Sequence, residues 1–385
     1  MNNFDDIRPY TDAEIPAAMT RIADSEYLPG IAAFLFPDRD WKDVQKAIRG
    51  YTCISDFQLD AMYAFNKQVI AQTADNFTYS GLERLDPAKN YLFVSNHRDI
   101  VMDSSLLQFA LHLEGFRTTE ITFGSNLMTS QLVIDIGRSN KMFKVVRGEN
   151  PRDFYKTSMH LSEYIRHTIT QRGESIWIAQ RSGRTKDGND ATDQGILKMF
   201  NMSGGKDAAQ SLAELNIVPV AISYQWEPCD IFKTRELFLS RDGAKYTKTK
   251  NEDLISILSG ITHPKGDIHI SVCEPLRQEV LQQMATQKSS NDFYKAVVNL
   301  IDEQIYRNYK LHDTNFIAHD FRSGTDAYAS QYTPQMKTQF LQRYHQALDE
   351  IDGDKDVIAG LFLGIYANPV DKFHLIALPR QVPQT

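Results

Sequence analysis

A histidine followed closely by carboxylates is the part of this sequence best suited to acid–base chemistry. The stretch FVSNHRDIVMDS, residues 93–104, contains His97 together with Asp99 and Asp103. A histidine that is neutral near pH 7 can take a proton from a hydroxyl group, and a nearby carboxylate can fix its tautomer and stabilise the imidazolium that forms. A structural role is the alternative, because Asp103 could simply cap a helix predicted over residues 104–113.

A basic segment follows later in the chain. Residues 138–186 contain eleven Lys or Arg and four acidic residues, a local net charge of +7 within a chain whose net charge is −7. The overall acidity argues against a nucleic-acid binder, whereas a basic segment in an acidic protein suggests that an anionic ligand binds there. The alternative for the Lys and Arg of residues 152–172 is a solvated helix face. The acidic stretch DGNDATD, residues 187–193, lacks the glycine and the terminal glutamate of a calcium loop and predicts a solvated loop.

Helices and strands alternate in the order expected for an α/β protein. Residues 1 to about 75 have helical periodicity, and helical patterns return after about residue 275. Between them, apolar runs predict strands at residues 91–96, 119–124, 142–146, 175–180, 217–224 and 267–272. We therefore predict an α/β fold with a mixed central sheet flanked by helices, and with helical N-terminal and C-terminal extensions. The predicted division is 1–75, 76–275 and 276–385.

The clearest helix is predicted over residues 151–172. Asn150 is a good N-cap, Pro151 occupies the first helical position and Gly173 follows the end. Its predicted apolar stripe consists of Phe154, Leu161, Ile165 and Ile169.

The position of His97 relative to its strand favours a functional role. In open α/β sheets, ligands bind beyond the carboxyl ends of the strands. Asn96 and His97 directly follow the apolar run of residues 91–96, so His97 stands where a reacting group could meet it.

Four segments, taken in order, resemble the motifs of a known family. They are Asn96-His97 with Asp103; MFKVVRG, in which the terminal Arg of the second motif falls on Arg147; IWIAQRSGRTKDG with Gly183 and Arg184; and IVPVAISY with Pro219. Together with the preceding YSGLERL they resemble the glycerolipid acyltransferases, the family of glycerol-3-phosphate and 1-acylglycerol-3-phosphate (lysophosphatidate) acyltransferases. The resemblance covers residues 77 to about 275. The third segment is most similar to the form in the plant plastid glycerol-3-phosphate acyltransferases.

The sequence departs from the family pattern at two points. Five residues separate His97 from Asp103 where the family has four, and one residue rotates a side chain by about 100° around a helix. Either the turn after His97 holds an extra residue, which we favour, or Asp99 takes part. The second departure is Gln180 and Arg181 in the third motif, where many members have a glutamate; the plastid enzymes also lack it.

The resemblance implies an acyltransferase that uses no metal and no cofactor. Its catalytic residues would be His97 and Asp103, its acyl donor a thioester of coenzyme A or of acyl carrier protein, and its acceptor a phosphorylated glycerol. The substrate-binding residues it implies are Asn96, Arg147, Gly183, Arg184 and Pro219. Two alternatives stay open: an acyltransferase for another lyso-lipid such as an aminolipid, and an inactive relative that binds lipid or carrier protein.

Hydropathy and cysteine content indicate where in the cell the protein is expected to be. It has no apolar run of about 18 residues and no basic-then-apolar N-terminus, so we expect a cytoplasmic protein that visits the inner membrane surface transiently. Cys53, Cys229 and Cys273 are too few and too scattered for a disulfide framework, which fits a reducing compartment.

Overall fold

A seven-stranded mixed sheet forms the centre of the computed structural model, which describes residues 4–146, 150–243, 246–249 and 251–377. The strand order is β1-β7-β6-β2-β5-β3-β4. The strands are β1 (Ala74–Ser80), β2 (Leu92–Ser95), β3 (Glu120–Gly124), β4 (Met142–Val145), β5 (Ile176–Ala179), β6 (Ile217–Tyr224) and β7 (Gly266–Val272).

Strands β2 to β6 all run in the same direction. β2 pairs in parallel with β5 and β6, and β3 pairs in parallel with β4 and β5. β7 is antiparallel to β6, while β1 is parallel to β7. The carboxyl ends of β2 to β6 therefore meet at one edge of the sheet, which we call the carboxyl edge, and β7 begins there. The prediction of an α/β fold with a mixed sheet is confirmed.

Helices cover both faces of this sheet. Before β2 lie α1 (Ile15–Ala23), α2 (Leu28–Leu35), α3 (Trp41–Arg49), α4 (Ile54–Phe57) and α5 (Tyr63–Thr73). Between β2 and β7 lie α6 (Met102–Leu113), α7 (Gln131–Ser139), α8 (Pro151–His167), α9 (Gln194–Asn201), α10 (Ala208–Ala213), α11 (Asp230–Leu239) and α12 (Glu252–Thr262). After β7 lie α13 (Gln278–Gln287), α14 (Ser290–Asn308), α15 (Asp313–Ser323), α16 (Pro334–Glu350) and α17 (Lys355–Ala377).

Successive side chains of a strand point to opposite faces of the sheet, so the strands contribute to a separate hydrophobic core on each face. Leu92 and Val94 pack with Ile165 of α8 and Ile301 of α14 on one face. Phe93 lies on the other face with residues of α6. This is the period of two expected for strands buried on both sides. No helix within the described residues is long and apolar enough to cross a membrane.

The structure confirms every predicted strand and corrects two details. A further strand, β1, extends from the end of the N-terminal helices, where helical periodicity had been predicted up to residue 75. Helix α8 begins as predicted, with the Asn150 side chain accepting hydrogen bonds from the backbone N–H groups of Arg152 and Asp153. Phe154, however, is 62% exposed and does not belong to the buried stripe of α8. The reason is that the first six residues of this helix, 151–156, are all exposed, so the helix extends beyond the core at its start.

Candidate active site

His97 and Asp103 lie together just beyond the carboxyl end of β2. The His97 Nδ1 atom is 2.8 Å from Asp103 Oδ2, and Asp103 is the second residue of α6. The other carboxylate oxygen, Oδ1, accepts a hydrogen bond of 2.7 Å from the hydroxyl of Tyr224. The His97 side chain is 14% exposed and can be reached from outside, whereas that of Asp103 is fully buried.

The turn between β2 and α6 absorbs the extra residue between His97 and Asp103. Asp103 Oδ2 also accepts the backbone N–H groups of Arg98 at 2.6 Å and Asp99 at 2.9 Å. Asp99 has a different role, since its Oδ1 accepts the backbone N–H groups of Val101 and Met102 at the start of α6. Of the two carboxylates left open by the sequence, the structure brings Asp103 to His97 and uses Asp99 to cap the helix.

The hydrogen bonds around Asp103 orient the imidazole. All the neighbours described above donate to this carboxylate, and a carboxylate only accepts, so the ring hydrogen lies on His97 Nδ1. The lone pair is then on Nε2, which makes no hydrogen bond with a residue that the structure describes. Burial and the charge of Asp103 raise the pKa of Tyr224 well above its ordinary value, so this hydroxyl keeps its proton and continues to donate. The arrangement is that of a general base with a fixed tautomer.

Asn96 and Pro219, both predicted to bind substrate, are buried and contact neighbouring strands of the sheet. The Asn96 side chain is fully buried; it donates to Asp190 Oδ2 and to the carbonyl of Ile222, and it accepts from the Ile222 N–H. With its amide groups all used inside the protein, Asn96 joins the end of β2 to β6. Pro219 is a buried residue inside β6. Its carbonyl accepts from the Cys273 N–H at 2.9 Å where the β6–β7 pairing ends, a place where the missing proline N–H costs little.

The loop after β5 brings Gly183 and Arg184 beside His97. The backbone N–H of Gln180 donates to the Ser95 carbonyl at 2.8 Å, and that of Thr185 donates to the His97 carbonyl at 2.7 Å. Gly183 lies between them with a φ of +79°, a left-handed conformation that favours glycine. The Nη1 atom of Arg184 is buried and has no hydrogen-bond partner among the described residues. Arg147, the other predicted phosphate ligand, lies outside the described residues.

A buried network of four charged side chains lies behind the site, and no sequence pattern indicates it. Arg98 is fully buried and pairs with Asp190 at 2.6 Å and with Glu227 at 3.2 Å. Lys233 pairs with Glu227 at 2.6 Å and donates to the Arg98 carbonyl at 2.7 Å. Burial alone would lower the pKa of Arg98, but the two carboxylates raise it well above its ordinary value. The prediction that residues 187–193 form a solvated loop is wrong for Asp190, because that carboxylate is the partner of Arg98.

The basic segment serves two purposes. Part of its charge is neutralised by carboxylates of the same chain, in the ion pairs Arg166–Glu214 at 2.7 Å, Arg172–Glu120 at 2.7 Å and Lys141–Glu174 at 2.9 Å. In contrast, Arg152 and Lys156 are exposed and form no ion pair with a described residue. Neither a continuous anion site nor a uniformly solvated face therefore describes the whole segment. Among the described residues, no group of His, Cys, Asp and Glu is arranged to hold a metal ion.

Comparison with known proteins agrees with the predicted family. Residues 76–223 match the family model described as Acyltransferase. Among solved structures, the 1-acyl-sn-glycerophosphate (LPA) acyltransferase PlsC from Thermotoga maritima is similar at 15% identity and a TM-score of 0.37, covering 77% of this chain and 96% of that one. No curated protein matches the chain significantly.

Proposed function

We propose that the chain, of which residues 76–223 match the Acyltransferase family model, is a glycerolipid acyltransferase that moves a fatty acyl group to the hydroxyl of a phosphorylated glycerol. The donor would be a thioester of coenzyme A or acyl carrier protein, and the acceptor glycerol 3-phosphate or 1-acylglycerol 3-phosphate. The observation that carries the proposal is the His97–Asp103 hydrogen bond at the carboxyl edge, within the matched segment.

In this reaction His97 acts as the general base. Its Nε2 takes the proton of the acceptor hydroxyl while the hydroxyl oxygen attacks the thioester carbonyl. Collapse of the tetrahedral intermediate forms the ester and expels the thiolate, which recovers the proton from the imidazolium. Asp103 keeps the ring oriented and stabilises its positive form, and no covalent enzyme intermediate is needed.

The loop of residues 180–185 supplies the groups that meet negative charge. The backbone N–H groups of Gln180 and Thr185 are used to hold the loop against β2 and His97. Those of residues 181–184 have no backbone acceptor among the described residues and are candidates for stabilising the oxyanion. We assign the acceptor phosphate to Arg184, whose Nη1 has no described partner, and to Arg147 on the basis of the sequence motif alone.

A direct assay tests this proposal. Purified protein is incubated with acyl-coenzyme A or acyl carrier protein thioesters and with a panel of acceptors, and the products are identified by mass spectrometry. We expect acylated glycerol phosphates from the wild type and at least about 10²-fold less product from a folded His97→Ala variant. If a lyso-aminolipid were the only compound acylated, it would be the acceptor in place of a phosphorylated glycerol. If no acylated product formed, the chain would be better explained as an inactive relative.

A further inference from the structure

Helix α12 exposes its large aliphatic side chains and buries its small ones. Leu254, Ile255 and Leu258 are 51%, 50% and 53% exposed, while Ser256 and Ser259 are buried. A surface helix of a globular protein normally shows the reverse pattern, with its apolar residues turned to the core. The outward side of α12 is therefore an apolar surface that no described residue covers.

This helix lies next to the candidate active site. A Cβ atom on Gly260 would lie 2.1 Å from Asp99 Oδ2, so the buried side of α12 touches the turn that follows His97. The Cys229 Sγ atom donates to the carbonyl of Ser256 at 3.4 Å, in the segment that follows β6. Both contacts are made just beyond carboxyl ends of strands, which places α12 at the carboxyl edge.

A second exposed apolar segment borders the same edge. Val146 follows β4 and is 41% exposed, and Phe154 and Tyr155 in the first turn of α8 are 62% and 59% exposed. Asn126, in the segment after β3, donates to Asp253 of α12 at 3.3 Å and so connects the β3 end of the edge with α12. We call the exposed apolar side chains of these two segments the apolar rim: Val146, Phe154, Tyr155, Leu254, Ile255 and Leu258.

Basic residues accompany the apolar rim, and its acidic residues are engaged locally. Arg152 and Lys156 are exposed on α8 without an ion pair to a described residue. Asp253 is held by Lys248, and Glu252 accepts hydrogen bonds from Tyr246 and Thr249.

We propose that the apolar rim docks the protein on an anionic phospholipid bilayer, with the rim side chains entering the interface and the neighbouring Lys and Arg meeting the headgroups. Exposed apolar side chains beside basic ones are the combination that binds anionic lipid surfaces. The choice of a bilayer rests on the proposed function, because a long acyl chain has to travel between a membrane and His97. Docking by this edge would turn the mouth of the active site towards the lipid.

Vesicle binding by rim variants tests the proposal. Binding is measured by co-sedimentation with vesicles of phosphatidylcholine, alone or mixed with phosphatidylglycerol, for the triple variant Leu254→Ser, Ile255→Ser, Leu258→Ser and for the double variant Phe154→Ser, Tyr155→Ser. The matched control is Leu113→Ser, which changes a 47% exposed leucine at the last residue of α6, away from the carboxyl edge. We expect each rim variant to bind mixed vesicles at least about tenfold more weakly, and the control to bind like the wild type.

The charge contribution and the activity are separated by two further measurements. The double variant Arg152→Glu, Lys156→Glu should lose binding to mixed vesicles while binding to pure phosphatidylcholine is unchanged. With a short-chain acyl donor, a soluble acceptor and no vesicles, all the variants should turn over like the wild type, and circular dichroism should show that they are folded.

The outcomes distinguish the two proposals. Unchanged vesicle binding by both rim variants overturns the docking surface even if acyl transfer is found. Loss of binding in the rim variants supports it even if no acceptor is ever acylated, in which case the proposed function alone fails. The proposal is also overturned if the wild type does not bind vesicles but binds acyl carrier protein through these side chains. The rim would then be a protein-binding surface.

Discussion

At the scale of single residues, the proposed chemistry depends on His97 and Asp103. Replacing His97 by Ala should lower turnover about 10²-fold or more, because general-base catalysis contributes about 10² to 10⁴. Asp103→Asn should also be severe, since an amide cannot accept from all the donors that now surround this carboxylate. Asp99→Asn should be milder, because asparagine caps a helix as well as aspartate does. Initial rates of the two variants give the size of each loss, and circular dichroism checks that both are folded. If Asp103→Asn lost less activity than Asp99→Asn, Asp99 rather than Asp103 would be the catalytic partner of His97.

Arg184 provides the second prediction at this scale. Arg184→Lys keeps the charge but loses the planar fork that can hold two phosphate oxygens. Losing one such contact should cost roughly 1.5 to 3 kcal/mol, which raises the KM for a phosphorylated acceptor about 10- to 150-fold. The KM for the acyl thioester should change much less. The opposite result, a raised donor KM and an unchanged acceptor KM, would assign Arg184 to the donor site.

Single residues also show where sequence patterns stop being informative. The pairing of His97 with Asp103 was favoured because of the resemblance to the family motif, with Asp99 left open, and the structure pairs His97 with Asp103. The roles of Asn96 and Pro219 were not predictable in the same way. A motif shows that a residue type belongs at a position, but whether the side chain meets a ligand or the interior depends on packing across the sheet.

At the scale of elements, a buried charge network joins the turn after β2, the loop of residues 187–193 and the segment after β6. Replacing Arg98 by Met would leave Asp190 without its ion-pair partner in a fully buried place. Removing one member of a buried pair typically costs about 3 to 5 kcal/mol. We expect a loss of this size in the free energy of unfolding, measured in urea.

Arg152→Met is the control for this prediction. Arg152 is exposed on α8 and has no described ion pair, so its replacement should change the free energy of unfolding by less than about 0.5 kcal/mol. If Arg98→Met were as stable as this control, the network would not hold the three segments together.

A helix or strand was predictable where its own residues contain the pattern that determines it. The apolar runs of β2 and β6 and the caps of α8 are visible in the chain itself. Strand β1 was missed because its residues, ADNFTYS, are half exposed and polar; they become a strand by pairing with β7, far away in sequence. The exposure of Phe154 was missed for the same reason, since periodicity cannot tell how far a helix extends past its partners.

At the scale of the whole molecule, the helices after β7 complete the surroundings of the site. The ring of Tyr309 lies 5.3 Å from the guanidinium of Arg98, and the Tyr366 hydroxyl of α17 accepts from the backbone N–H of Glu227 at 3.1 Å. Residues beyond 275 thus reach the network behind His97. The division of the chain at residues 75 and 275 remains a prediction. Because residues of the last region, 276–385, contact this network, we infer that the region supports the site.

His312 offers a test of that support through pH. It precedes α15, is 5% exposed, and its Nε2 lies 3.2 Å from Ser223 Oγ in β6, so it joins the C-terminal helices to the sheet. Burial, with a smaller contribution from Lys310, lowers the pKa of His312 to about 3. The unfolded chain, with a pKa of about 6.5, therefore binds this proton first, and the folded state loses stability as the pH falls from about 6.5 towards 3.

The variant His312→Gln isolates this contribution from those of other acid-sensitive groups, including His263 and His269, whose pKa values burial also lowers. At pH 7 the variant should be less stable than the wild type, because it loses the packing and the hydrogen bond of the ring. Its deficit should shrink by about 2 kcal/mol between pH 7 and pH 5, since each pH unit below 6.5 removes about 1.4 kcal/mol from the wild type alone. Urea unfolding at both pH values measures the difference. A deficit that stays constant would mean that His312 accepts a proton in the folded state and that the joint between sheet and helices opens to water.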